Sequence, residues 1–258
     1  MKIAITVGLN GSPGLPAQAR RWADELKTEY LPRLRKGTLA DMLEEYCLDA
    51  LIVATNEGPR AFSREGTLFF HPGMAKLRID RIDSGERDNF CQALALKKGS
   101  RVLDCTMGLA ADAAVASYVC GSEGSVTAVE ASLTVWFVVS LGLQNYGRAN
   151  GTLRDALRRI KTIHAEAGDY LRQQKDDAFD VVYFDPMFQR PVSQSSNMTP
   201  LRPLAYDGRL TDELLSEALR VAPRVVVKER GNKELMRLGF EQSSGGRYSR
   251  IKFGIRSR

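Results

Sequence analysis

Several acids in this chain sit where an apolar run stops, which is where a carboxylate can do chemistry. The plainest case is Phe179-Asp180-Val181-Val182-Tyr183-Phe184-Asp185-Pro186-Met187-Phe188. It reads as an apolar strand that ends at Asp185. Proline lacks an N–H and fixes φ, so Pro186 takes the chain out of the sheet abruptly. That turn directs the Asp185 carboxylate and the neighbouring carbonyls, including that of Pro186, into the space beyond the strand, with the Phe188 ring close by. An exocyclic amine on a nucleobase needs acceptors for its hydrogens and a flat apolar surface for its ring. The bland reading is a strand end with a proline stop. Against it, Asp104 and Glu130 end two earlier apolar runs in the same way.

Around Asp104 the sequence is Val102-Leu103-Asp104-Cys105-Thr106-Met107-Gly108-Leu109-Ala110-Ala111-Asp112. A strand ends in an acid, a tight loop follows, and a helix of small residues begins. Small residues let a ligand approach the backbone, and a helix start offers unpaired N–H groups. A dinucleotide site would use three glycines at fixed spacing, but only Gly108 is present, and Asp104 and Asp112 would repel phosphates. A ligand with an ammonium and a sulfonium, such as S-adenosylmethionine, suits these residues better. An ordinary strand-to-helix turn is the alternative. Glu130 ends the next strand, Val126-Thr127-Ala128-Val129-Glu130, where an acid can accept both hydroxyls of a ribose. Dehydrogenases and methyltransferases share that contact. Gly168-Asp169, after the third strand, offers either an acceptor for an adenine amino group or a helix N-cap.

These tips need a sheet to position them. After the turn at Lys97-Lys98-Gly99-Ser100, strands are predicted over 101–105, 125–130, 160–164, 179–184 and 224–228. Helices are predicted over 109–119, 133–146, 167–173, 211–221 and 232–238. Five strands interleaved with helices imply an α/β fold whose mostly parallel sheet is covered on both faces. Residues 239–242 and 248–253, joined through Gly245-Gly246, suggest a C-terminal antiparallel hairpin. Ahead of this lies a small N-terminal α/β subdomain, residues 1–84, leaving 85–258 as the larger domain. Its elements are a strand at Ile3–Val7, a helix opened by Pro16, a strand at 51–54 and β structure from Gly58 to Phe70. The loop from Gly8 to Gly14 lacks the Lys-Ser/Thr of a P-loop and reads as a plain turn.

Two segments suit a large anionic acceptor. Residues 189–208 are long, polar and proline-bearing, which is uncommon for a loop without a binding role. The tail after Glu241 carries Arg247, Arg250, Lys252, Arg256 and Arg258 and no acid. With Arg154, Arg158, Arg159 and Lys161 it could form one phosphate-contacting face, or simply a solvated basic surface.

Composition sets outer limits. The 258 residues are 43% hydrophobic and 26% charged, ordinary for a globular protein and unlike a disordered chain or a disulfide scaffold. No stretch approaches the ~20 apolar residues of a membrane span. The apolar start at Ile3–Val7 is too short for a signal peptide. Four scattered cysteines (47, 91, 105 and 120) and only two histidines make no metal-binding pattern. They read as free thiols of a reducing cytoplasm. The net charge of +6 favours an anionic partner such as RNA.

Three motifs in order carry a family resemblance: 104–112, Asp185-Pro186-Met187-Phe188 and Arg224-Val225-Val226-Val227-Lys228. The second resembles the Asp/Asn-Pro-Pro-Tyr/Phe tetrapeptide of amino-group methyltransferases, with Met as its third residue. Together they resemble the small-subunit ribosomal RNA guanine-N2 methyltransferase J family, and more closely its uncharacterised Gram-positive branch. The resemblance runs from about Phe70 to the end; residues 1–69 match that branch only loosely. It implies a class I, Rossmann-like methyltransferase fold, S-adenosylmethionine as cofactor and 16S rRNA as acceptor. Ala111-Asp112 stands where the family has Arg-Asp, and Glu130-Ala131 where it has Glu-Arg. His164-Ala165-Glu166 stands where it has His-Ala-Ser-Ser, and Asp185 matches directly. Cofactor contacts are thereby implied at Ala111, Asp112, Glu130, Ala131 and Asp185, while the lost arginines leave the RNA target open. The rival readings are a methyltransferase of a small molecule or protein, and a non-catalytic nucleotide-binding or ribosome-associated protein.

Overall fold

The computed structural model describes residues 1–34, 36–147, 151–186, 210–240, 242–244 and 251–258. Phe188, the 189–208 loop and the Gly245-Gly246 turn therefore lie outside the described residues. The chain forms two compact units.

The smaller unit is built on residues 1–71 and includes 133–145. Its sheet joins β1 (Ile3–Val7), β2 (Glu29–Tyr30), β3 (Ala50–Thr55), β4 (Gly58–Ser63) and β5 (Gly66–Phe69) in the order β2-β1-β3-β4-β5. β1 runs parallel to β2 and β3, while β3, β4 and β5 form an antiparallel meander. Helix α1 (Leu15–Glu25) has Pro16 in its first turn, where the missing N–H costs nothing. It buries Leu15, Ala19, Trp22 and Ala23, the spacing of one helical face. Helix α2 (Leu39–Glu45) is opened by a capping box, with the Asp41 N–H donating to Thr38 Oγ1 at 3.1 Å and the Thr38 N–H to Asp41 Oδ2 at 2.6 Å. Helix α6 (Leu133–Asn145) belongs with this unit, although its place between two strands of the larger sheet suggested otherwise. Phe137 on α6 meets Trp22 edge to face at 5.3 Å. Gly142 lets α6 approach so closely that a Cβ there would sit 2.2 Å from that of Phe70.

The second unit contains the site. It begins with α3 (Ala75–Asp83) and α4 (Asn89–Leu94). The expected boundary lies between 84 and 85, whereas the compact units part between 71 and 72, with α3 in the second. Among the described residues seven strands follow: β6 (Arg101–Asp104), β7 (Ser125–Glu130), β8 (Ile160–His164), β9 (Val181–Phe184), β10 (Arg224–Arg230), β11 (Gln242–Ser244) and β12 (Ile251–Ser257). Their order is β11-β12-β10-β9-β6-β7-β8. β6 to β10 are mutually parallel, and β12 and β11 close the edge as the antiparallel hairpin. The helices are α5 (Ala111–Cys120), α7 (Gly151–Arg159), α8 (Ala167–Arg172), α9 (Asp212–Val221) and α10 (Asn232–Arg237).

Strand periodicity decides what each side chain meets. Val182 and Phe184 of β9 join Leu171 of α8, Leu215 of α9 and Leu235 of α10 in one core cluster. Tyr183 points the other way, to Phe90 of α4, with ring centroids 4.9 Å apart. The same alternation puts Val225 and Val227 of β10 in that cluster and leaves Lys228 facing α5. No helix among the described residues is long and apolar enough to cross a membrane.

Candidate active site

In an open parallel sheet, ligands bind beyond the carboxyl ends of the strands, where the strand order reverses direction. Here the reversal lies between β6 and β9, since the chain continues from β6 to β7 on one side and later returns to β9 on the other. Asp104 ends β6, Glu130 ends β7, and Asp185 follows β9 directly. All three acids named from the sequence therefore reach the same crevice.

Asp104 is only 2% exposed. Its Oδ1 accepts the Thr106 N–H at 3.0 Å, and Oδ2 has no hydrogen-bond partner among the described residues. Burial, with repulsion from Asp112 and Asp185, pushes its pKa up to about 7, against the hydrogen bonds from Thr106. The loop after it is held at both ends: Cys105 N–H donates to the Tyr183 carbonyl and Met107 N–H to the Val129 carbonyl, each at 2.9 Å. Gly108 turns with φ +49°, and a Cβ there would meet nothing nearer than 3.9 Å, so the space beside it is open. Ala110, also left-handed at φ 58°, is the N-cap of α5, which starts at Ala111, two residues later than the spacing predicted.

Glu130 is buried, at 7% exposure. Its Oε2 accepts the Gly108 N–H at 3.1 Å and its Oε1 the Ser132 N–H at 2.9 Å. Burial raises its pKa, partly offset by these backbone donors. A carboxylate offers about four acceptor positions, so capacity remains for hydroxyls. The Ala131 carbonyl lies 3.1 Å from His164 Nε2. Gly168 and Asp169 lie in the first turn of α8, whose N-cap is Glu166, so they do not cap the helix. The Asp169 carboxylate is exposed and pairs with Arg172.

Asp185 is fixed from two sides. Its N–H donates to Thr106 Oγ1 at 2.6 Å, and its Oδ2 accepts from Lys228 Nζ at 2.7 Å. Lys228 also donates to Asp112 Oδ2 at 3.0 Å. Asp112 accepts from the Tyr183 hydroxyl at 2.8 Å and from Arg78 Nη1, and Arg78 grips Asp88 through two nitrogens at 2.8 and 3.0 Å. Burial opposes ionisation of Asp112, but Lys228 and Arg78 outweigh it and lower its pKa. Asp185 is shifted the other way: burial raises it against the pull of Lys228, and Asp112 adds repulsion.

Arg78, Thr106, Tyr183 and Lys228 were given no role from the sequence. Lys228 did leave a signal, a cation ending the apolar run 225–227, with Val227 paired to Phe184 one step short of Asp185. α7 packs beside β8 at one edge of the sheet and the C-terminal strands form the other. Five strand spacings of ~4.8 Å separate β8 from β12. Arg258 is also paired with Asp177.

A sheet of this order, carrying acids at its central tips and a small-residue loop between them, defines a class I S-adenosylmethionine-dependent methyltransferase. The family described as "Putative SAM-dependent methyltransferase" matches residues 65–244, and the chain belongs to that family. A Bacillus subtilis relative, the uncharacterized protein YpiP, is 36% identical over 86% of each chain. The ribosomal RNA small subunit methyltransferase J of Pseudomonas aeruginosa is 29% identical, with 86% of this chain and 83% of that protein covered. A SAM-dependent methyltransferase from Neisseria gonorrhoeae has the same fold, with a TM-score of 0.62 at 17% identity over 98% of this chain and 95% of that one.

The residues present fit S-adenosylmethionine. The buried Asp104 carboxylate, one oxygen of which has no partner among the described residues, suits the ammonium, the acceptor capacity of Glu130 suits the ribose diol, and the open side of Gly108 admits close approach.

Proposed function

We propose that this chain methylates an exocyclic amine of RNA, namely guanine N2 in the 16S rRNA of the small ribosomal subunit. The observation that carries this reading is Asp185-Pro186 at the tip of β9, held by Thr106 and Lys228 beside the crevice that Asp104 and Glu130 share. The resemblance to the methyltransferase J proteins and the positive net charge support RNA as the acceptor.

The bound cofactor supplies an electrophilic methyl group. The protein's task is then to bring amine and methyl into line, which is catalysis by proximity and orientation. Asp104, Gly108 and Glu130 would hold the cofactor with Ala111, Asp112 and Ala131, and Gly168-Asp169 would supply an acceptor for its adenine amino group. Asp185 and the Pro186 carbonyl accept hydrogen bonds from the amine and orient its lone pair, and Phe188 stacks on the base. The base must leave its stack to reach this site.

The test is a tritiated methyl-transfer assay on separate RNA, protein and metabolite extracts, followed by mapping of methylated positions in rRNA from a deletion strain. Label in RNA recovered as N2-methylguanine, and loss of one small-subunit methylation in the deletion strain, are expected. Label confined to protein or metabolites overturns the reading.

A further inference from the structure

The acid named for the chemistry is the end of a chain of alternating charges. From Asp88, which caps α4 by accepting the Cys91 N–H at 3.0 Å, the chain runs through Arg78, Asp112 and Lys228 to Asp185. It joins α3, α4, α5 and β10 to the tip of β9. Lys228 divides its ammonium between two carboxylates, at 2.7 Å to Asp185 and 3.0 Å to Asp112. Asp112 has two further donors, Arg78 and Tyr183, whereas no other side chain among the described residues donates to the Asp185 carboxylate.

We propose that Lys228 is a positioning residue that fixes the Asp185 carboxylate for the incoming amine, and that Asp112 sets how much of the Lys228 charge Asp185 receives. This rests on the amine-methyltransfer reading above. The reasoning is electrostatic. An opposite charge within ~4–6 Å favours the ionised form of a carboxylate, by 1–3 pK units, and a like charge disfavours it. Among the described residues, the charged groups facing Asp185 are Lys228 and Glu229 on β10, Asp112 on α5 and Asp104 on β6, with Arg78 of α3 acting through Asp112. Lys228 is the one cation among them in contact. Without it, burial and the repulsion of Asp112 would favour the protonated carboxyl, which offers the amine only an uncharged, weaker acceptor.

The two neighbours give opposite signs, which separates positioning from general damage. Lys228→Gln should raise the Asp185 titration and move the acid limb of the single-turnover rate to higher pH by about one unit or more. Asp112→Asn should move that limb to lower pH, because a like charge is lost and Lys228 is released to Asp185. Lys228→Arg should restore the wild-type limb in large part. The rate is measured at saturating S-adenosylmethionine on small-subunit RNA from a deletion strain. Cofactor affinity is measured by calorimetry alongside, and Asp185 is titrated independently by carboxyl ¹³C NMR on the cofactor-free protein. Shifts of opposite sign in both readouts are expected. An Asp185 titration unmoved in Lys228→Gln, or moved the same way by both substitutions, overturns the proposal. If wild type transfers no methyl group to RNA, the acceptor reading fails, while the NMR titration still decides whether Lys228 controls Asp185. Should Lys228→Gln not fold, Asp112→Asn carries the test, and an unshifted or upward titration there overturns it.

Discussion

The Thr106 hydroxyl accepts the backbone N–H of Asp185 at 2.6 Å, although 79 residues separate them. The N–H of Thr106 itself donates to Asp104 at 3.0 Å. One side chain thus ties the loop after β6 to the turn after β9, the two sides of the crevice. A hydroxyl is needed because no strand pairs with the Asp185 N–H, and a buried donor left unmade costs ~1–3 kcal/mol. Thr106→Val keeps the shape and removes the acceptor. It should lower unfolding stability by about that amount, and Thr106→Ser should recover most of it. Urea denaturation of the cofactor-free proteins measures this, and a Val variant as stable as wild type would dismiss the tie.

Glu130 has a structural task as well as the proposed ribose contact. Its two oxygens hold the Gly108 and Ser132 N–H groups. Glu130→Ala should therefore weaken S-adenosylmethionine binding roughly 10- to 100-fold, from the ~1.5–3 kcal/mol typical of a hydrogen bond to a charged group. It should also destabilise the cofactor-free protein. Glu130→Gln keeps one acceptor oxygen and should lose affinity with a smaller stability loss. Calorimetry and urea melts on the pair separate the two effects; unchanged affinity in both variants removes Glu130 from the ribose site.

Asp104 should make cofactor binding release a proton. Its pKa is raised from the ordinary carboxyl value of 3.8 to about 7. The sign follows from the linkage relation: the folded protein holds a proton that the unfolded chain has lost between these values. This contribution to stability is full below the unfolded pKa and is lost as pH rises through about 7. Asp104→Asn should therefore flatten the fall in cofactor-free stability between roughly pH 4 and 7. An ammonium docked against Asp104 favours its ionised form, so binding near pH 6.5 should expel a proton. Calorimetry in buffers of different ionisation enthalpy reads this directly. Identical heats in all buffers would place the ammonium elsewhere.

The strand tips were legible because an apolar run of β-branched and aromatic residues ending in an acid has few other meanings. Asp104, Glu130 and Asp185 each carried that local signal, and the mostly parallel sheet followed from alternating strands and helices. Their supports were not legible. Arg78 meets Asp112 across 34 residues, Lys228 meets Asp185 across 43, and Tyr183 meets Asp112 across 71. Such pairs are set by the fold rather than by spacing. Arg78 stands in a basic stretch with Lys76 and Arg81, and nothing in its spacing singles it out. Helix α7 is absent from the predicted elements: Leu153, Ala156 and Leu157 are buried at helical spacing, but the exposed Arg154, Arg158 and Arg159 beside them mask the periodicity.

Asp185 should matter more for the transfer step than for holding the cofactor. Its carboxylate has one oxygen committed to Lys228 at 2.7 Å, which leaves the other for the target amine. The amine nitrogen gains positive charge as it attacks, so a hydrogen bond to a carboxylate strengthens on the way to the transition state and lowers the barrier. Asp185→Asn keeps the volume but changes both properties. The Lys228 ammonium will draw the amide oxygen toward itself, which turns the amide NH₂ toward the acceptor site. Donor then faces donor, and the charge that would stabilise the developing cation is gone. Loss of one preorganised electrostatic contact of this kind commonly costs ~10²–10³ in rate. Asp185→Asn should accordingly bind S-adenosylmethionine within a few-fold of wild type while its single-turnover rate falls by roughly that factor. If Asp185 chiefly held the cofactor, affinity would collapse instead and turnover would recover at saturating S-adenosylmethionine. Measuring both quantities on the same variant decides between these outcomes, and a variant with full activity and full affinity would exclude Asp185 from either role.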